Sequence, residues 1–341
     1  MNETGEPDPN PMFEGLGDRV LQVVGLSILT VGCLFGNMFM CVVIKCNKTL
    51  HSIPNMLVFS LGITDLGVGL LNSPLNLVLA IAGRNIFGAN LCNWYGVIIM
   101  VLTQCTMLHM CLMAINRYIM VCHPMKYRSV FTRKSVAIFI GIIWSISFLM
   151  AFLPVMGWGS YKMYQTFGCC LPNFLEGLDF MITDLVLITL VPTNVMIFCY
   201  FMVFKTVRNS KRKIAAALKN NKHAASSNLR KNDKKKRKEM NITKVVLMIM
   251  VSYFVCYTPF LILFPINDIF GIYIPYWAGK LSAIFVVGSS ACNPIILYLL
   301  SSEFRKAYIA MLPMMCQGRL SASTEHGDDD SVTEKTQVKR I

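Results

Sequence analysis

Seven times along this chain a long apolar run is interrupted by a short polar stretch. The runs fall near 20–45, 54–82, 92–122, 135–156, 180–206, 240–267 and 274–300. Each exceeds about 20 residues, the length at which an α-helix crosses roughly 30 Å of hydrocarbon. Several carry an internal Asn, Asp, Pro or Ser, residues that a helix facing lipid on every side does not tolerate. The pattern therefore predicts an all-α membrane protein, a bundle of seven transmembrane helices packed against one another.

Composition agrees: of 341 residues 55% are hydrophobic and only 15% charged, outside the range of ordinary soluble domains. The basic residues set the orientation. Lys45, Lys48, Lys126, Arg128, Arg133 and Lys134 lie in the first two odd-numbered junctions, and the third holds a dense run from Lys205 to Lys238. The opposite junctions carry little beyond Arg84, Lys162 and Lys280, and Glu3, Glu6, Asp8, Glu14 and Asp18 make the N-terminal tail acidic. The positive-inside rule puts the N-terminus outside the cell and the C-terminus in the cytoplasm. The net charge of +14 then belongs to cytoplasmic loops, and with no interleaved aromatics it does not mark a nucleic-acid binder. The expected organisation is an extracellular tail over 1–19 and a membrane domain over 20–300, with its basic third cytoplasmic loop at about 207–238. A membrane-surface helix over 301–313 and a polar tail over 314–341 complete it. The first 19 residues lack a basic and then apolar leader, so no signal peptide is expected.

Asn2 opens an Asn-Glu-Thr acceptor on the outer side and is the expected glycosylation site. Of thirteen cysteines, only Cys92, Cys169 and Cys170 face the oxidising side. One bridge, from Cys92 to either Cys169 or Cys170, is expected. No Cys and His spacing suits a metal.

Each apolar run holds one landmark. In order these are Gly36-Asn37, Leu61 to Asp65, Cys92 through Asn116-Arg117-Tyr118, Trp144, Pro192 with Tyr200, Cys256-Tyr257-Thr258-Pro259, and Asn293-Pro294 with Ile295 to Leu297. All seven in this order, with Cys92 25 residues before Arg117, resemble the rhodopsin-like (class A) G protein-coupled receptors over about residues 20–315. Ala114 to Tyr118, followed by Val121-Cys122-His123-Pro124, is most similar to melatonin receptors. Gly157 to Tyr161 is more opsin-like.

The resemblance implies a receptor that binds an extracellular small molecule and activates heterotrimeric G proteins by outward movement of the sixth helix. Its coupling and switch residues would be Asn116, Arg117, Tyr118, Tyr200, Glu239, Tyr257, Pro259, Asn293 and Pro294. Arg117 would pair with Glu239 in the resting state. Asp65, with Asn37, Thr106, Ser289, Ser290 and Asn293, would suit a structural sodium ion, and no covalent cofactor is implied. The pocket would be lined by Ile99, Met100, Thr103, Gln104, Asp184, Ile188, Tyr257, Phe260, Leu261, Phe264, Ala283 and Val287. Internal prolines at 74, 154, 192, 259 and 294 kink their spans.

Five departures from the family pattern shape the reading. Asn116 stands where an Asp is commoner, Tyr257 replaces the toggle tryptophan, and Leu297 replaces the terminal tyrosine of the seventh-span motif. Tyr298, one place later, is turned by about 100°. Val287 occupies the place of the retinal-binding lysine, and Ile99 that of the amine-binding aspartate. Covalent photoreception is thereby disfavoured; an opsin-like photoreceptor with a non-covalent chromophore is the alternative, and a seven-span transporter a remote one. Asp184, eight residues before Pro192, is the outlier in an apolar pocket: it meets the ligand, or else is hydrated or pairs with Lys162 or Lys280.

After the last span, Ser301 caps a helix whose Phe304, Tyr308, Met311 and Leu312 share one face expected to rest on the membrane. Cys316 is the expected palmitoylation site. Ser and Thr residues between 321 and 336 offer receptor kinases phosphorylation sites for arrestin to read. A transporter or membrane enzyme would show intramembrane acid pairs, repeats or metal-ligand clusters, and the chain has none of these patterns.

Overall fold

Helices Leu16–Cys46, Ile53–Ala82, Ala89–Cys122, Arg133–Phe152, Leu178–Ser210, Ile242–Asp268 and Tyr276–Leu300 are long and apolar enough to cross a membrane. They match the seven apolar runs in order. The computed structural model describes residues 15–220 and 227–311, with the backbone alone at 211, 213–220, 227–239 and 241. The first span packs on the second and seventh, the third on the second, fourth and fifth, and the sixth on the seventh.

Polarity is inverted relative to a water-soluble bundle. Asn37, Thr64, Asp65 and His109 are fully buried, while Ile28 is 66% and Phe204 67% exposed. An apolar exterior around buried amides and an acid is the arrangement lipid demands. His109 is satisfied inside the bundle: its Nδ1 lies 2.7 Å from the Cys105 carbonyl and its Nε2 2.7 Å from Ser60 Oγ.

The prolines act locally and differently. A π-helical turn at Val68–Asn72 ends two residues before Pro74, and another at Leu185–Leu190 ends two before Pro192. A proline ring clashes with the carbonyl one turn back, and widening that turn relieves it. Pro154 lies beyond the end of the fourth helix at Phe152, so it terminates that span and does not kink it. The sixth span carries Pro265 as well as Pro259, and the seventh carries Pro294.

Between the fifth and sixth spans the backbone stays helical to Asn220 and resumes at Ser227. Most of the stretch expected as a loop over about 207–238 is therefore helical, consistent with its Lys, Arg, Ala and Leu content.

Strands β1 (Tyr161–Tyr164) and β2 (Cys169–Pro172) form an antiparallel hairpin between the fourth and fifth spans, with Tyr164 opposite Cys169. Gly168, at φ 70, supplies the left-handed residue of its turn. Gly96 of the third span lies under the Tyr161 ring so closely that a Cβ there would meet it at 2.3 Å.

Residues 302–311 form the short helix after the seventh span, and Phe304 N donates to Ser301 Oγ at 3.4 Å. Its apolar face does not point away from the bundle as expected. Phe304, Ala307 and Tyr308 are buried in the bundle core, with Tyr308 against Phe39 at 5.0 Å and Tyr298 at 6.0 Å.

Candidate functional site

The hairpin closes one end of the bundle. Cys92 is disulfide-bonded to Cys170, with Cα atoms 5.5 Å apart; this resolves the choice left open by the sequence. Cys169 is a buried free thiol, pushed up to about 12 by burial, and so stays protonated. Strand alternation turns neighbouring side chains to opposite faces, and Cys170 is the one bonded to the third span.

Beneath the hairpin, Gln104 Nε2 of the third span donates to Asp184 Oδ1 of the fifth at 2.7 Å. This partner differs from both lysines considered for the acid. Lys162 instead pairs with Asp268 at 2.9 Å, and the buried Lys280 sits over the Tyr276 ring at 5.7 Å. Burial and then the nearby Asp184 carboxylate hold the Tyr161 phenol above its usual range. Phe260 and Phe264 stack at 5.5 Å, and the Tyr257 hydroxyl lies within hydrogen-bonding reach of Thr103 and Tyr253. Met100 and Ile188 share an apolar cluster between the third, fourth and fifth spans. Ile99 packs nearer the disulfide. Ala283 is buried, and Val287 packs with Leu26, Val68 and Leu102.

One predicted lining residue does not belong. Leu261 is 44% exposed on the outer surface of the sixth span. It follows Phe260 by one residue, and that step turns a helical side chain by about 100°.

Midway down the bundle Asp65 is fully buried, and Asn293 Nδ2 donates to its Oδ2 at 2.7 Å. Asn37 Nδ2 donates to the carbonyls of Cys33 and Ser290, at 2.9 and 3.0 Å. Thr106 and Ser289 donate to their own helices, at Leu102 and Val286. Their hydroxyl oxygens remain acceptors. Asp65 Oδ1 and Asn37 Oδ1 are buried without a well-formed hydrogen bond, and Ser290 is close to the carboxylate.

At the opposite end, Arg117 is 2% exposed and its Nη1 donates to Met120 Sδ at 3.6 Å. Tyr200 and Tyr127 both lie within electrostatic reach of its guanidinium. Asn116 Nδ2 donates to the Tyr127 hydroxyl at 3.3 Å, and Tyr118 Oη lies 2.9 Å from His123 Nε2. Leu297 is buried, while Tyr298 stacks on Tyr308 and is directed away from the core. The side chain of Glu239, and residues Asn2 and Cys316, lie outside the described residues.

Sequence reasoning missed two groups. Tyr253 stacks on Tyr257 at 4.0 Å; its position one helical turn before Tyr257 was a usable signal. Asp268, Tyr164 and Phe167 gather at the hairpin, and only the fold brings them together.

Residues 36–297 match the sequence model of the 7 transmembrane receptor (rhodopsin family). The chain is 27% identical over 302 residues to the histamine H2 receptor of Canis lupus familiaris, covering 85% of this chain and 79% of that one. It is 28% identical over 327 residues to the D(1)-like dopamine receptor of Oreochromis mossambicus, covering 92% and 84%. In fold it matches squid rhodopsin with a TM-score of 0.79 at 23% identity, over 91% of this chain and 92% of that one.

Proposed function

The chain belongs to the rhodopsin family of seven-transmembrane receptors, and from that premise we propose that it detects an extracellular small molecule through Asp184 and Gln104. It is a multi-pass membrane protein and a receptor, not an enzyme. In this reading the hairpin end faces outward, which the basic junctions and the disulfide support.

The observation that carries the ligand class is the 2.7 Å contact between Gln104 and Asp184. A neutral amide brings the carboxylate between the two spans no counter-charge, and desolvating it alone is costly. The ligand therefore brings a positive charge or a strong hydrogen-bond donor. Similarity to receptors named for histamine and dopamine supports a small amine. The third-span acid is absent here, with Ile99 in its place, so the anchor has moved to the fifth span.

Binding is relayed to the other end by movement of the sixth span about Pro259, releasing Arg117 to a heterotrimeric G protein. Tyr257 supports this role by linking the sixth span to Thr103 of the third. Receptor kinases and arrestin would act on the tail. Asp65, Asn37, Thr106, Ser289, Ser290 and Asn293 supply a carboxylate and neutral oxygens, a donor set that suits a hard cation such as sodium. It would hold the middle of the bundle together.

A second-messenger assay of the expressed chain against a panel of small amines, in light and dark, would find the agonist. Asp184→Asn should then weaken its potency by about 10- to 100-fold, the worth of one charge-assisted contact, with surface level unchanged. An unchanged concentration–response curve would make Asp184 a rim residue and favour an apolar, lipid-like ligand.

A further inference from the structure

Deep inside the spans, amides and ionisable side chains turn inward: Asn37, Asp65, Asn72, Gln104, His109 and Asn293 are all buried. Asn194, midway along the fifth span Leu178–Ser210, is exposed on the surface that lipid covers. Among the described residues no other amide or ionisable side chain so far from the ends of a span is exposed. Its Nδ2 donates to the Leu190 carbonyl of its own helix at 2.8 Å. A carboxamide has two N–H donors and an acceptor oxygen, and that bond uses one donor. The second N–H and Oδ1 have no partner among the described residues and face hydrocarbon, where no water satisfies them. Lipid suffices to cover an apolar face, but a carboxamide within that face needs a polar partner.

The residues around Asn194 form a line along the helix. Leu190, Asn194, Ile197, Phe201 and Phe204 follow one another at alternating steps of four and three, and the four apolar members are all exposed. This is the seam spacing at which two helices pack side by side at a shallow angle, and a single Asn in such a seam fixes its register. The bundle itself does not use this line. The fifth span packs on the third, and its buried residues Met196, Cys199 and Val203 lie on the opposite side of the helix.

We propose that the outer line of the fifth span is a contact between two copies of this chain in the membrane, paired through Asn194. Copies in one membrane share an orientation, so a two-fold axis along the membrane normal sets equivalent residues at equal depth. Each Asn194 then donates its second N–H to the other's Oδ1, and this reciprocal pair satisfies both side chains. A different membrane protein would have to carry a polar group at the same depth on a matching seam. A second copy supplies one by construction.

Energy transfer between donor- and acceptor-labelled copies on intact cells, followed against surface density, reads this association without an agonist. Asn194→Leu should raise the density at half-maximal transfer by about 3- to 30-fold, the worth of an amide hydrogen bond between membrane helices. Leucine is at home in lipid, and density is the measured axis, so a change in expression does not imitate the effect. Asn194→Gln, which keeps the carboxamide, should shift the curve much less. Oxidation of membranes with copper–phenanthroline then locates the contact. Ile197→Cys and Phe201→Cys should each give a dimer band above the background of the unsubstituted chain, and adding Asn194→Leu should weaken it severalfold. Met196→Cys, at a buried position, and Val31→Cys, at an exposed position of the first span, should stay at background. Superimposable density curves for wild type and Asn194→Leu would overturn the proposal. So would an equally strong band from Val31→Cys, which would report random collision. A cross-linked product of another mass would assign the seam to a different membrane protein and remove the second copy.

Discussion

The two mouths of the bundle are built on opposite plans. At the hairpin end a disulfide, a buried carboxylate with three donors and a cluster of aromatic rings tie the third and sixth spans to one structure. At the Arg117 end, among the described residues, no disulfide closes the bundle. There Arg117 lies among a methionine sulfur and two tyrosines contributed by its own span, the fifth span and the following junction. On the function proposed above, the first end has a shape for a ligand to read, and the second is the one that changes shape. A receptor needs that asymmetry, because a site that deformed freely would transmit nothing and a coupling face that was stapled shut would never open.

Breaking the covalent tie at the rigid end should have the largest effect. The Cys92–Cys170 bridge spans 78 residues, and closing such a loop contributes up to about 4.5 kcal/mol in the chain-entropy account. Cys92→Ser and Cys170→Ser should therefore both lose most surface expression, measured by labelling an outer epitope on intact cells. Cys169→Ser should remain near wild type, because that thiol is buried, protonated and unpaired. Equal losses for all three would mean that the hairpin tolerates no change at this site and that the bridge has no special weight.

A smaller change sharpens the comparison from the inside. The Tyr257 hydroxyl lies within hydrogen-bonding reach of Thr103, a contact that would tie the sixth span to the third midway between the two mouths. Tyr257→Phe keeps the ring stack on Tyr253 and removes that tie, worth roughly 0.5–1.5 kcal/mol. Ligand-independent signalling should rise by about two- to tenfold, the same quantity expressed as a population ratio. A fall in basal signalling at matched surface level would mean that the hydroxyl supports the active arrangement instead.

The two ends also differed in how far they could be read from the sequence. The seven spans, the buried Asp65 and the buried Arg117 were legible because lipid makes an intramembrane charge conspicuous in an apolar run. The Cys92 bridge was legible to within two adjacent residues, and strand pairing decided between them. Leu261 was misread because a pocket carried over by family resemblance ignores which side of the helix faces lipid. The face of Phe304 and Tyr308 was assigned to the membrane because its apolar character was visible and its neighbours were not. Asp268 was passed over for a different reason. It sits at a helix end, where an acid is unremarkable, and its donors come from residues 94 to 106 positions away. No local pattern announces such a contact.

The central claim is that ligand recognition at the closed end reaches a G protein through Arg117 at the other. The most direct measurement is nucleotide exchange on purified heterotrimeric G proteins by the receptor in lipid nanodiscs, comparing wild type with Arg117→Ala. Wild-type receptor should accelerate exchange, and further so with an agonist from the amine panel. Arg117→Ala should abolish the acceleration while retaining agonist binding. Equal exchange by the two forms, at equal folded receptor, would contradict the account.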